Sequence, residues 1–342
     1  MKQRLVYVDM MRGIAIMLVV AAHLIQANVV DGINSRAFMF INSFHMPLFF
    51  AISGFIAQRV YKPLMDVKSV LLFIKRKAVA LLVPLFVWDL VIFKLFLSNE
   101  WNLPSIEDLI NEITHPRLWF LQILFLIFFF YSFYLYICER WNKNQNIVKD
   151  LAMITLVFML YGVYYLLNFK YGSVILYSIY FYMGVMISKH QSLEKMALNP
   201  IMLAISFFVF CMLVGHWNIH SDSYVTDLIK NLIDPCAFII VLNVCKKYEK
   251  IKASEIISQW GRYSLEIYVA HWCLISIGSK WSLNLPYVNE FWLFMLAIFF
   301  SIPIVYSCIG LAKIIEVSPI TRLILYGRTV VSTKKWTSLK IK

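Results

Sequence analysis

Long apolar runs, broken at intervals by short polar stretches, set the pattern of this chain. Ten of them reach the ~17–25 residues that carry an α-helix across ~30 Å of hydrocarbon. They cover 12–31, 38–58, 78–97, 118–138, 148–168, 171–188, 199–217, 225–245, 259–279 and 291–315. The runs are continuous, unlike the alternating ~10-residue strands of an outer-membrane barrel. Little chain lies between them. No stretch is large enough for a separate soluble domain, and neither an internal repeat nor a low-complexity linker is present. The pattern predicts an all-α polytopic integral membrane protein with about ten transmembrane helices.

Composition sharpens this. Of 342 residues, 61% are hydrophobic and 15% charged, with mean hydropathy +0.72. Soluble domains run at roughly 45–50% apolar and 25% charged, so an ordinary soluble fold and a disordered chain are both excluded. The net charge of +13 would suit a nucleic-acid binder, but its distribution argues otherwise. Of the 32 Lys and Arg, 25 fall in the N-terminal segment, the even-numbered loops and the C-terminal tail, including the cluster Lys75, Arg76 and Lys77. The odd-numbered loops hold four: Arg36, Arg117, Lys170 and Lys280. Lys94, Lys230 and Arg262 fall within or at the edge of runs. Positive charge stays on the cytoplasmic side, which places both termini in the cytoplasm. The basic residues then serve topology and contact with anionic lipid, and nucleic acid is not an expected partner.

The N-terminal run reads as a retained first helix rather than a leader, because Asp9 and Arg12 interrupt its approach and no small-x-small cleavage site follows. Six cysteines (Cys138, Cys211, Cys236, Cys245, Cys273, Cys308) lie scattered with no CxxC pair. They fit buried apolar positions better than disulfides or a thiolate metal site.

Ionisable groups inside spans are costly and mark candidate chemistry. In the first span Arg12 and His23 are eleven residues apart, about three helical turns, so they share one stripe with ~16 Å of rise between them. Asp9 lies one turn before Arg12, within reach of its guanidinium. The second span reads Phe44-His45-Met46-Pro47-Leu48-Phe49-Phe50, with Ser53-Gly54 a turn later. Pro47 frees a backbone carbonyl, and Ser53-Gly54 permits close helix packing or a local break. Counted at 1.5 Å per residue, His23 and His45 lie at matching depth, and His271 in the ninth span lies close to that level. Each also admits a plainer reading: Arg12 as a topological anchor, and the histidines as interhelical hydrogen bonders.

Taken together, these segments resemble the membrane-bound acyltransferase 3 family. Asp9-x-x-Arg12-Gly13 followed by His23 matches its Arg/Lys-x10-His motif. Phe44 to Phe50 with Ser53-Gly54-Phe55 is similar to its second helix, closest in style to the fucose 4-O-acetylase-like sugar O-acetyltransferases. Leu118-Trp119-Phe120-Leu121 resembles the start of its fourth helix. Ser264-Leu265-x-Ile267-Tyr268-x-x-His271 looks like its late signature, and Glu316 to Pro319 with Leu325-Tyr326-Gly327 fits the end. The matches run in family order from residue 9 to about 327. One departure stands out: where the family carries a second basic residue before the proline of its third helix, this chain has Ala80 ahead of Pro84.

The resemblance implies a transmembrane acyltransferase domain over residues 1–327, a basic cytoplasmic tail over 328–342, and residence in a bacterial cytoplasmic (inner) membrane. It implies an acyl-CoA donor, most often acetyl-CoA, meeting a hydroxyl of a cell-surface glycan or lipid-linked sugar. His23 would be the general base, since an imidazole can be tuned to work near neutral pH. Asp9 would hold Arg12, and His45 or His271 would orient the base or donate to the oxyanion. Arg12, Arg76, Lys77 and Ser53 are the candidates for binding the donor, and no metal is expected. Two other readings stay open. A transporter or carrier could run protons along the same histidines, and a membrane hydrolase could bind zinc through His23, His45 and His271.

Overall fold

The structure is a computed structural model that describes residues 5–60, 62–98, 105–107, 110, 114–141, 146–166, 172–221, 224–279 and 289–328. The expected basic tail, apart from Arg328, falls outside the described residues, as do Lys2, Arg4, Lys143, Lys170, Lys280 and most of the stretch between Glu100 and Glu112.

Among the described residues the chain is helical, with no β-strand. In chain order the helices are α1 (Val6–Asn28), α2 (Arg36–Arg59), α3 (Val67–Phe86), α4 (Trp119–Trp141), α5 (Ile147–Leu166), α6 (Gly172–Lys189) and α7 (Gln191–Ala197). There follow α8 (Pro200–Leu213), α9 (Tyr224–Lys247), α10 (Lys252–Arg262), α11 (Ser264–Ser279), α12 (Glu290–Ile315) and α13 (Pro319–Tyr326). Five are long and apolar enough to cross a bilayer: α1, α2, α4, α12 and the Leu228–Lys247 part of α9. The pair α7–α8, bent by 60°, makes a sixth if it counts as one span. These helices make the chain a multi-pass membrane protein.

Several of the expected spans are not single straight helices. The 259–279 run is divided at Tyr263, so its polar first part belongs to α10 and its apolar part to α11. The 78–97 run begins earlier, at Val67, where Asp66 and Ser69 form a capping box. Past Phe86 it continues as a π-helix over Val87–Ser98. In the first span, helix begins at Val6, so Asp9 and Arg12 stand within α1 rather than ahead of it.

The chain forms two compact units, residues 1–62 with 175–307 and residues 63–174 with 308–342. In the first, α1 packs on α2, α10 and α11, and α9 packs on α2 and α8. Lipid tails are as apolar as Leu, so helices in a bilayer associate through close packing and hydrogen bonds rather than hydrophobic burial. Glycine supplies the closeness. A Cβ on Gly13 would collide with the Ile257 carbonyl, and one on Gly261 with the Asp9 carbonyl, so α1 and α10 meet backbone to backbone. Gly54 against Phe181 and Gly184 against Ala51 do the same for α2 and α6. Phe50 stacks on Tyr177 in this core.

In the second unit α3 packs on α4 and α13. Trp88 Nε1 donates to the Leu325 carbonyl at 2.8 Å, and its ring stacks on Tyr326. Gly327 ends α13 with φ +61° and leaves no room for a Cβ against Val79 and Ala80. Position 80, where the resembled family is basic, is thus packed at the backbone against the close of α13.

Candidate active site

The first unit gathers the intramembrane polar residues. α1 carries Asp9, Arg12 and His23 on its 23-residue length, and three other helices bring partners to them. Near its start, Arg12 Nη2 donates to Ser264 Oγ, the first residue of α11, at 2.6 Å. Asp9 is buried where α1 crosses Gly261. One end of the stripe is therefore joined to the Tyr263 break between α10 and α11.

Three turns on, His23 meets α11 again. Its ring centroid lies 5.2 Å from that of His271 and 4.8 Å, edge to face, from Trp272. His45, on α2, lies within electrostatic range of His23. Of the three histidines matched by depth in the sequence, His23 and His271 meet ring to ring, and His23 interacts electrostatically with both His45 and His271. They differ in access. His45 and His271 are 5% and 2% exposed, whereas His23 is partly exposed.

Hydrogen bonds set their tautomers. His45 Nδ1–H donates to the Ile41 carbonyl at 2.9 Å and His271 Nδ1–H to the Ile267 carbonyl at 3.0 Å, each one turn back on its own helix. A carbonyl only accepts, so each neutral ring carries its lone pair on Nε2. The Nε2 of His271 is buried without a hydrogen-bond partner. Neither ring donates through Nε2 until it is protonated. While neutral they therefore suit accepting or relaying a proton better than stabilising an oxyanion. His23 Nδ1–H donates to Gln26 Oε1 at 2.9 Å, which leaves its Nε2 as a base too.

The other donor-side candidates have local partners or positions of their own. Ser53 Oγ donates to the Phe49 carbonyl at 2.8 Å, so its hydroxyl serves α2 itself. Arg76 and Lys77 belong to the second unit. Arg76 is exposed, and the Lys77 ammonium lies 3.5 Å from the centre of the Phe128 ring. Among the described residues no three His, Cys, Asp or Glu side chains are placed to hold a metal ion.

One pair near the cluster was not singled out in the sequence. Lys230 on α9 is buried, donates to the Ser43 carbonyl at 2.6 Å, and lies 3.9 Å from Asp234 one turn on. Its signal was present: a Lys and an Asp spaced i, i+4 inside an apolar run are neighbours on one helix face, and such a pair at membrane depth is costly to keep.

A family model described as an acyltransferase domain matches residues 5–310. Among curated proteins, the chain is similar to the nodulation protein NolL of Mesorhizobium japonicum, 30% identical over 127 residues, which is 35% of this chain and 33% of that protein. The match thus spans about a third of that relative's length. No solved structure matches the chain.

Proposed function

The chain belongs to the acyltransferase 3 family, and we propose that it is an integral-membrane O-acetyltransferase, with acetyl-CoA as donor on the cytoplasmic side and a hydroxyl of a cell-surface glycan or lipid-linked sugar as acceptor. In this reading residues 1–327 form the catalytic domain in a bacterial inner membrane, in ten spans with both ends cytoplasmic. The carrying observation is the partly exposed His23, in ring contact with the buried His271 and sharing a helix with Arg12.

His23 Nε2 removes the acceptor hydroxyl's proton as that oxygen attacks the thioester carbonyl. The C–S bond then breaks, and the CoA sulfur leaves with the proton returned from the imidazolium. Proton transfer of this kind contributes ~10²–10⁴-fold, so positioning and charge stabilisation supply the remainder. Arg12, whose fork suits phosphate or carbonyl oxygens, binds the donor while Ser264 and Asp9 set its approach. His271, in ring contact with His23, orients the base, and His45 supports it electrostatically from α2.

Inverted membrane vesicles given radiolabelled acetyl-CoA should accumulate acetyl ester on a glycan or lipid-linked sugar, and mass analysis of surface glycans should show that ester only when the protein is present. Vesicles that transfer no label, while moving a solute in step with a proton gradient, would favour a carrier instead.

A further inference from the structure

Pro47 has no N–H, so the carbonyl four residues earlier, Ser43, loses its intrahelical donor. α2 nevertheless runs through the proline as one helix of 24 residues. The released oxygen has a partner from another helix: Lys230 Nζ on α9 donates to Ser43 O at 2.6 Å and lies 3.5 Å from Asn42 O. The ammonium is enclosed, with the Trp217 ring centre at 4.7 Å and the Asp234 carboxylate at 3.9 Å. Lys230 is 8% exposed and Asp234 2%. A buried ion pair is weak support for stability as such, since well-packed apolar residues often do as well. What this one does is local. It ties down the single turn of α2 that carries His45, whose own Nδ1–H holds the Ile41 carbonyl of the preceding turn.

We infer that Lys230 is a positioning residue for acyl transfer: by donating to the carbonyl that Pro47 releases, it fixes the turn bearing His45, which interacts electrostatically with His23, with Asp234 as its counter-charge. The inference rests on the acyltransferase reading of the histidine cluster. Pro47 and Lys230 then form one device. Proline opens a bonding position on α2, and the lysine of α9 fills it, so the two helices are registered at the level of the histidines.

The test is a cycle of four full-length proteins purified in one detergent: the parent, Pro47→Ala, the double variant Lys230→Met/Asp234→Asn, and the combination of all three changes. Removing the pair together avoids a stranded charge, and Pro47→Ala gives residue 47 an amide that takes the Ser43 carbonyl. Loss of the pair should lower kcat by ~10-fold or more with KM for acetyl-CoA little changed, and Pro47→Ala should recover most of that loss. Lys230→Arg, which still donates, should retain part of the activity. Equal losses with and without Pro47→Ala, or a loss carried by KM, would overturn the inference. Unfolding midpoints of the same proteins read the clasp without substrate: the pair should matter less once Pro47 is Ala, and equal drops count against it. A pair variant that folds only together with Pro47→Ala gives the supporting result, whereas failure of both to fold overturns it. A parent that transfers no acetyl refutes the acetyltransferase reading, and the midpoints alone then decide whether Lys230 holds this turn.

Discussion

The two compact units bury polar groups to different ends. In the unit of residues 63–174 and 308–342, the buried carboxylates Asp89 and Asp150 are engaged in the unit's own construction. Asp89 accepts from the Leu118 amide just ahead of α4 at 3.0 Å. Asp150 accepts from the Tyr134 hydroxyl at 3.1 Å and the Cys138 thiol at 3.6 Å. In the unit of residues 1–62 and 175–307, the histidines spend one nitrogen on a local acceptor and keep the other lone pair for use, as His271 Nε2 does. The contrast is between carboxylates that accept from their own unit's helices and imidazoles that keep a lone pair for the proposed proton transfer.

The sharpest way to break this contrast is to remove one group from each side. His23→Ala should lower acetyl transfer by about 10²-fold or more with insertion and donor binding kept. Asp150→Asn should instead lower the unfolding midpoint and leave the activity of the folded fraction near that of the parent. Kinetics and thermal melts on matched preparations decide it; normal turnover in His23→Ala would move the base elsewhere. Gly261→Ala comes next. Its Cβ meets the Asp9 carbonyl, and such overpacking typically costs about 1–3 kcal/mol, read as a lowered denaturation midpoint with loss of activity in step. Arg12→Ala should weaken acetyl-CoA binding roughly tenfold, the scale of one hydrogen bond to a charged group, while Arg12→Lys restores part because the fork is lost. Calorimetry that finds full affinity in Arg12→Ala would leave Arg12 as a topological anchor.

The smallest effect lies outside the spans. Hydrogen bonds from Ser69 hold the Asp66 carboxyl below its ordinary 3.8, so the folded state prefers the ionised form. A depressed carboxyl stabilises above its unfolded value and stops doing so as pH falls through its folded one. The gap in melting temperature between parent and Asp66→Ala should therefore be present at neutral pH and close below about pH 3.8. A gap unchanged in acid would show that the capping carboxylate contributes nothing by its charge.

Part of the candidate site was legible because helical geometry is regular. Eleven residues on one helix place Arg12 and His23 on one stripe whatever surrounds them, and the similar depths counted for His23 and His271 are consistent with their ring contact. What stayed hidden depends on which helices are neighbours. Pro47 announces a released carbonyl, but not that Lys230, 187 residues away, answers it. The break at Tyr263 was equally obscure. The 259–279 run is apolar on average, and its division follows from the amphipathic face of α10, which the averaging of a long window conceals. For the second unit the sequence offered a basic cluster, and there Lys77 is drawn over Phe128 by a cation–π contact that no one-dimensional pattern foretells.

The crossing of α1 with α10 also has a consequence for how the protein comes into being. Gly13 and Gly261 meet across about three-quarters of the chain's 342 residues, and Arg12 finds Ser264 only at a separation of 252 residues. At synthesis rates of ~5–20 residues per second, the first helix waits in the bilayer for on the order of tens of seconds before its partner exists. Throughout that interval it carries a charged residue with no Ser264 to receive it, on a surface smoothed by Gly13 for a helix not yet made. A nascent or truncated chain that stops short of α10 thus lacks both contacts, and its first helix is a natural client for whatever shelters unfinished helices in the membrane.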